Sequence, residues 1–322
     1  TAAVCLADDP KPATPFKVDH KAPLKATAKV VEQAKGFTKY RVEFSGIEGD
    51  RVPGHLYLPK EIRGRVPAVL VQHGVGDKKH ARYIVECCRM LTARGIIALA
   101  IDAPERGERK RPGKDGPAMW NLPAVRKWFQ QHCGDYSRAL DYLESRPDVD
   151  ARRLGYVGFS WGAITGVTFT AHDPRVRAMT SVVGGGLLSL LGKKLDPVAN
   201  VGRIAPRPLM FLNATKDQIV LRPFATALQC GFHRVPCEGS AFDPHGKFAH
   251  ARKHHEFFEF LAVEAAFAGS LVFRHQMVEA LEHDAHFVHT LALKNISHHG
   301  GGSDGNGATA ALKTGLFDDA VV

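Results

Sequence analysis

Residues 154–163 read Leu154-Gly155-Tyr156-Val157-Gly158-Phe159-Ser160-Trp161-Gly162-Ala163. An apolar run leads into G-x-S-x-G, and the residues after it open a helix at Trp161. A serine on such a strand-to-helix bend has its hydroxyl pushed clear of the backbone. Gly158 and Gly162 stand two residues either side of it and carry no Cβ, so strand and helix can pass close together. The same pattern recurs at Gly301-Gly302-Ser303-Asp304-Gly305, but no strand pattern precedes it and no helical pattern follows. Context selects Ser160 as the candidate nucleophile.

Working outward, four more stretches are nearly continuous apolar runs: 66–72, 96–101, 176–183 and 209–212. Strands buried on both faces read this way, which predicts a parallel sheet covered by helices on both sides. Helical spacing falls between the runs, over 81–94, 135–146 and 161–171. Strand and helix in alternation mean an α/β fold with right-handed crossovers, whose ligands sit at the carboxyl ends of the strands. Upstream, Tyr40 to Phe44 alternates as a half-buried strand does, and Val52 to Pro59 forms a second strand, placed near an edge because it carries Pro53. The two predict an antiparallel hairpin at the start of the sheet. Residues 8 to about 30 show no period and read as an extended leader. The expected organisation is an N-terminal extension (1–35), a catalytic domain (36–268) and a partly flexible C-terminal extension (269–322).

The chain has 322 residues, 44% of them hydrophobic, ample for a large core. No apolar run approaches the roughly 18 residues of a membrane span. The net charge of +10 is spread, apart from a basic cluster at Arg106, Arg109, Lys110, Arg111 and Lys114. That cluster encloses Pro112 and Gly113, has no aromatic residue interleaved, and reads as a solvated loop, so nucleic acid is not an expected partner. The six cysteines show no metal-type spacing and read as free thiols, although Cys230 and Cys237 are near enough in sequence to close a small loop. Val4-Cys5-Leu6-Ala7 before Asp8-Asp9-Pro10 resembles the end of a signal peptide, which leads to an expectation of export.

A serine hydroxyl needs a base, an acid to orient the base, and two backbone N–H donors for the oxyanion. The turn His73-Gly74-Val75-Gly76 after the 66–72 strand and the residue after the serine nominate the N–H groups of Val75 and Trp161. His73 precedes the serine and reads as a loop support, because the expected order is Ser, acid, His. The acid follows a later strand: Asp217 fits, in Leu209-Met210-Phe211-Leu212-Asn213-Ala214-Thr215-Lys216-Asp217, with Asp196 and then Asp243 behind it. Histidines concentrate late in the chain, at His233, His245, His250, His254 and His255 among others. His245 stands in a turn, Asp243-Pro244-His245-Gly246, ahead of a helical pattern, and is the first candidate base; His250 is the second. The cluster lacks acidic partners at ligand spacing, so no metal is expected. Phe159 and Trp120 are candidate pocket residues.

These blocks together resemble the α/β-hydrolase superfamily, and most of all its dienelactone-hydrolase-like and acetyl-xylan-esterase-like serine esterases. The residues that carry the resemblance are the Val52-to-Pro59 strand, His73-Gly74, Ala100-Ile101-Asp102-Ala103-Pro104 with Gly107-Glu108-Arg109, Arg146 to Asp150, the serine motif, and Ala205-Pro206-Arg207-Pro208 leading to Asn213 and Asp217. The resemblance covers about residues 36–268. The resemblance implies an α/β-hydrolase fold, ester hydrolysis through an acyl-enzyme, no cofactor, and the triad Ser160, Asp217 and His245. The expected substrates are short acyl esters, among them acetyl groups on carbohydrate. Dienelactone hydrolases use a cysteine where this chain has Ser160, so lactone specificity is not implied. A peptidase-like or polyester-cleaving hydrolase and a non-catalytic binding protein of the same fold are the alternatives.

Overall fold

The computed structural model describes residues 14–113, 116–117, 121–186, 191–213, 220 and 222–233. Among them, eight strands form one mixed sheet: β1 (Thr27–Gln33), β2 (Phe37–Ser45), β3 (Arg51–Pro59), β4 (Val66–Gln72), β5 (Ile97–Ile101), β6 (Val149–Phe159), β7 (Val176–Val182) and β8 (Leu209–Leu212). Their spatial order is β1-β2-β3-β5-β4-β6-β7-β8. The first three strands are antiparallel and β3 meets β5 antiparallel, whereas β5, β4, β6, β7 and β8 run parallel. This is the α/β-hydrolase architecture. The helices are α1 (Arg82–Thr92), α2 (Leu122–Glu144), α3 (Trp161–His172), α4 (Pro197–Val201) and α5 (Arg222–His233).

The apolar runs became the parallel strands: those of β4, β5, β6 and β7 are covered on both faces, while β8 at the end of the order is half-buried throughout. Along β6, Tyr156 faces the α2 and α3 side, where its ring meets Tyr136 at 5.6 Å and Phe169 at 5.6 Å. Phe159 faces the opposite side, against Tyr83 of α1 at 4.9 Å. Helix α3 is buried on nearly every side, as a helix apolar all round its circumference must be.

Four readings of the sequence need correction. β3 is an interior strand, between β2 and β5. Its proline is tolerated because the ladder with β5 begins only at Gly54, and the Pro53 carbonyl still accepts from the Asp102 N–H at 3.0 Å. Residues 27–33, read as leader, form the edge strand β1. Its residues are almost all exposed, so no inside-outside alternation marks it. Helix α2 begins at Leu122, 13 residues before the expected start at 135; its true start is signalled by Asn121, whose side chain accepts from the Ala124 N–H, and by a proline in the first turn. The basic cluster is not simply solvated. Arg109 is buried, donating to Asp135 at 2.7 Å and Asp50 at 3.1 Å.

The segment before β1 also packs on the body. Phe16 sits 6.3 Å from Phe169, and the buried Arg138 guanidinium donates to the carbonyls of Asp19 and Ala22. No helix among the described residues is long and apolar enough to cross a membrane. Cys87, Cys88 and Cys133 are free thiols.

Candidate active site

Ser160 sits between β6 and α3 with φ 50° and ψ −112°. A side-chain-bearing residue in that region is strained and persists only where its surroundings hold it. Here they do. The Ser160 N–H donates to the Val182 carbonyl of β7 at 2.8 Å, and the Ser160 carbonyl accepts from Ala163 and Ile164 at the head of α3. Ser160 is half-buried, and its hydroxyl makes no hydrogen bond to the described residues.

The glycines explain why the bend can be so tight. A Cβ on Gly158 would strike the Gly162 carbonyl, and one on Gly162 would stand 2.7 Å from the carbonyl oxygens of both Gln72 and His73. The elbow is thus pressed onto the exit of β4. A Cβ built on Gly74 would lie 3.3 Å from that of Ser160, so the turn after β4 abuts the serine directly.

The turn is internally wired. A carbonyl can only accept, so the contact between His73 Nδ1 and the Gly74 oxygen at 2.7 Å requires Nδ1–H as donor. The other ring nitrogen, Nε2, accepts from the Ala103 N–H at 3.1 Å. Together these fix the neutral Nδ1–H tautomer. Burial holds the ring down to about 4, against the upward pull of its bond to Gly74. With both nitrogens engaged, His73 supports the loop, as its place in the order of motifs suggested. The Gly74 N–H is likewise engaged, donating to the Tyr83 hydroxyl at 3.0 Å. The next N–H along, that of Val75, makes no hydrogen bond among the described residues, and Val75 is 40% exposed. Trp161 is the first residue of α3, where the helix offers its N–H no acceptor. Neither N–H has an acceptor among the described residues; Val75 follows Gly74, which abuts Ser160, and Trp161 follows Ser160 itself.

The Trp161 indole is buried, stacked on Trp128 with centroids 5.2 Å apart. Phe159, offered from the sequence as a pocket residue, is buried against Tyr83 behind the sheet. Asp196, second among the acid candidates, caps α4: its carboxylate accepts from the Val198 N–H at 3.0 Å. Asp217, Asp243, His245, His250, His254, His255 and Trp120 lie outside the described residues, as does the side chain of His233. Strand β8 ends at Leu212, whose carbonyl accepts from the Val183 N–H at 2.6 Å. The chain therefore leaves β8 on the same rim as Ser160, five residues before Asp217. Among the described residues no group of His, Cys, Asp and Glu is arranged to hold a metal.

Sequence reasoning found His73 but not the pair that fixes the far end of the turn. Asp102 and Lys79 are buried together at the exits of β5 and β4, with the ammonium 2.5 Å from the carboxylate. Asp102-Ala103-Pro104 stood out only as part of a motif, and nothing in the spacing tied it to Lys79.

A model of the dienelactone hydrolase family matches residues 52–237, more than half of the chain. Among curated proteins, "Putative hydrolase YtaP" of Bacillus subtilis (strain 168) is 25% identical over 257 residues, covering 66% of this chain and 83% of that one. A "Putative carboxymethylenebutenolidase" of Salmonella typhi is 29% identical over 138 residues, covering 42% of this chain and 50% of the relative's length. Among solved structures, a cold-adapted esterase from an Arctic intertidal metagenomic library superposes with TM-score 0.51 at 23% identity, covering 62% of this chain and 82% of that one. Acetyl xylan esterase 1 from Thermoanaerobacterium sp. JW/SL YS485 does so with TM-score 0.51 at 19% identity, covering 66% and 78%. At these identities the two structures speak for the fold.

Proposed function

Because this chain belongs to the dienelactone hydrolase family, and so to the hydrolases, we propose that it is a serine carboxylesterase acting on short-chain acyl esters, carbohydrate acetates among them. The observation that carries the reading is the strained turn at Ser160, set against the turn after β4, with the Val75 and Trp161 N–H groups without an acceptor among the described residues. A protein has no structural need for a non-glycine residue at φ 50° there; a nucleophile that must stand clear of its strand does need it.

In the proposed cycle Ser160 attacks the ester carbonyl while His245, oriented by Asp217, takes its proton. The oxyanion that forms rests on the N–H groups of Val75 and Trp161, and donors fixed in backbone need no reorganisation at that moment. His245 then protonates the leaving alcohol. In the second half it draws a proton from water, whose oxygen attacks the acyl carbonyl, and it passes that proton to the Ser160 oxygen as the carbon–serine bond breaks and the acid leaves. The chain's own groups supply every step, so no cofactor is called for.

The test is a series of p-nitrophenyl esters of rising acyl length, given to wild type, Asp217→Asn, His245→Ala and His250→Ala. The expected result is hydrolysis that falls with chain length, lost in His245→Ala and kept in His250→Ala. Activity lost in His250→Ala alone moves the base to His250. A wild type inactive on every ester removes the esterase reading.

A further inference from the structure

The segment from His73 to Lys79 carries the Val75 N–H, and it is tied at both ends to two consecutive residues at the exit of β5. Upstream, His73 Nε2 accepts from the Ala103 N–H at 3.1 Å. Downstream, the Lys79 N–H donates to Asp102 Oδ1 at 2.8 Å, and its ammonium donates to Asp102 Oδ2 at 2.5 Å and Glu108 Oε1 at 2.6 Å. The side chains of Lys79 and Asp102 are 1% and 0% exposed. Asp102 is itself fixed. Its N–H donates to the Pro53 carbonyl, its Oδ2 accepts from the Glu108 N–H at 2.9 Å, and its carbonyl accepts from Arg109 at 3.2 Å.

A buried ion pair is a poor way to gain stability, because desolvation of both charges offsets most of their attraction, and apolar residues of the same volume often do as well. What such a pair supplies and apolar packing does not is direction. Three hydrogen bonds converge on one carboxylate, two of them from Lys79 and one from Glu108, so the end of the turn cannot slide along β5. The start of the turn is held one residue further on, at Ala103. Between the two anchors the Gly74 N–H is taken by Tyr83, and the Val75 N–H, one residue after the glycine that abuts Ser160, has no acceptor among the described residues.

We propose that Asp102 and Lys79 are positioning residues for the reaction: their buried pair, with the His73–Ala103 bond, sets where the Val75 N–H stands relative to Ser160. They touch no substrate atom and act only through the turn. This inference rests on the serine-esterase reading above and names part of what makes that site work.

The experiment compares wild type with the double variant Lys79→Met/Asp102→Asn, in which both charges go at once and neither is left buried and alone. Asp102→Asn by itself is isosteric, keeps an acceptor for the Lys79 N–H, and carries the same test should the double variant fail to fold. Readouts are kcat and KM on p-nitrophenyl acetate, the inhibition constant of a trifluoromethyl ketone, and melting temperature. The ketone reports on the turn because its hemiketal places an oxyanion between the two N–H groups. Outright loss of one oxyanion donor costs about 10²–10³ in kcat, so a displaced donor is expected to cost the double variant about 10- to 100-fold. KM stays within about threefold, and the ketone weakens by the same factor as kcat/KM. A folded double variant with wild-type kcat overturns the inference and leaves the esterase standing. So does a loss of kcat with unchanged ketone affinity. A wild type that neither hydrolyses esters nor reacts at Ser160 removes both.

Discussion

Gly74 and Ser160 touch across the gap between β4 and β6: a methyl group on Gly74 would stand 3.3 Å from the serine Cβ and 3.6 Å from the Tyr83 hydroxyl. That spacing is tight but can be relieved by a small shift of the turn. Gly74→Ala is therefore expected to fold, losing no more than about 1 kcal/mol, while its kcat falls because the turn has moved. Gly162→Ala differs in kind. Its new methyl meets two backbone oxygens at 2.7 Å, and neither can rotate away. It is expected to lose on the order of 3 kcal/mol or more. Denaturation midpoints of the two variants check the order; equal losses would mean that the elbow and the turn are not packed as described.

The left-handed backbone at Ser160 makes a second prediction. Strain of this kind costs about 1–3 kcal/mol and is relieved by a residue without a Cβ. Ser160→Gly is expected to abolish ester hydrolysis and to raise the melting temperature, or at least not lower it. Melting curves of Ser160→Gly and Ser160→Ala separate this from a simple loss of packing, since only the glycine relaxes the backbone. A glycine variant less stable than the alanine one contradicts it.

Buried imidazoles set a pH dependence of stability. Burial holds His73 down to about 4 and His132 down to about 3, whereas in the unfolded chain both take up protons near 6.5. The unfolded state therefore binds more protons than the folded one below that value, and stability rises with pH across the window. The contribution is complete above about pH 6.5 and is lost as pH falls towards 4 for His73 and towards 3 for His132, on the order of 3 kcal/mol for each ring. Urea midpoints at pH 7.5, 6 and 5 should fall in that order. His73→Asn and His132→Gln should each flatten the slope.

Arg109 is the buried hub of a second network, donating to Asp135, Asp50 and the Asp102 carbonyl. Asp135 is fully enclosed; burial pushes its carboxyl up despite the neighbouring guanidinium. Arg109→Met leaves that group without its partner and is expected to cost about 3–5 kcal/mol. Arg109→Met/Asp135→Asn should recover a large part of the loss. Chemical denaturation of the two variants gives the comparison, and no recovery in the double variant would show that the pairing is not what the arginine supplies.

Much of the fold was legible because its signals are local. A strand covered on both faces is apolar throughout, which made β4 to β7 readable, and the elbow declares itself through glycines that leave room for a crossing backbone. Most of what escaped notice had no such signature. β1 is exposed along nearly its whole length, so no alternation marks it. The early start of α2 did carry a signature, in the cap Asn121 and in Val125, Trp128, Phe129 and Cys133 at helical spacing, and was overlooked all the same. At the site, Ser160 and the turn after β4 could be read from motif and order. The Lys79–Asp102 pair could not, because its partners come from two separate loops that only the sheet order brings together. Arg109 looked solvated for the same reason: its counter-ions lie 26 and 59 positions away in the chain.

The central claim, that Ser160 is an activated nucleophile, is tested most directly by covalent labelling. Wild-type protein is treated with a fluorophosphonate probe, and the modified peptide is identified by mass spectrometry, with Ser160→Ala as control. The account predicts one adduct per chain, on Ser160, absent from the variant. Folded wild-type protein that remains unlabelled, or that is labelled equally in the variant, contradicts it.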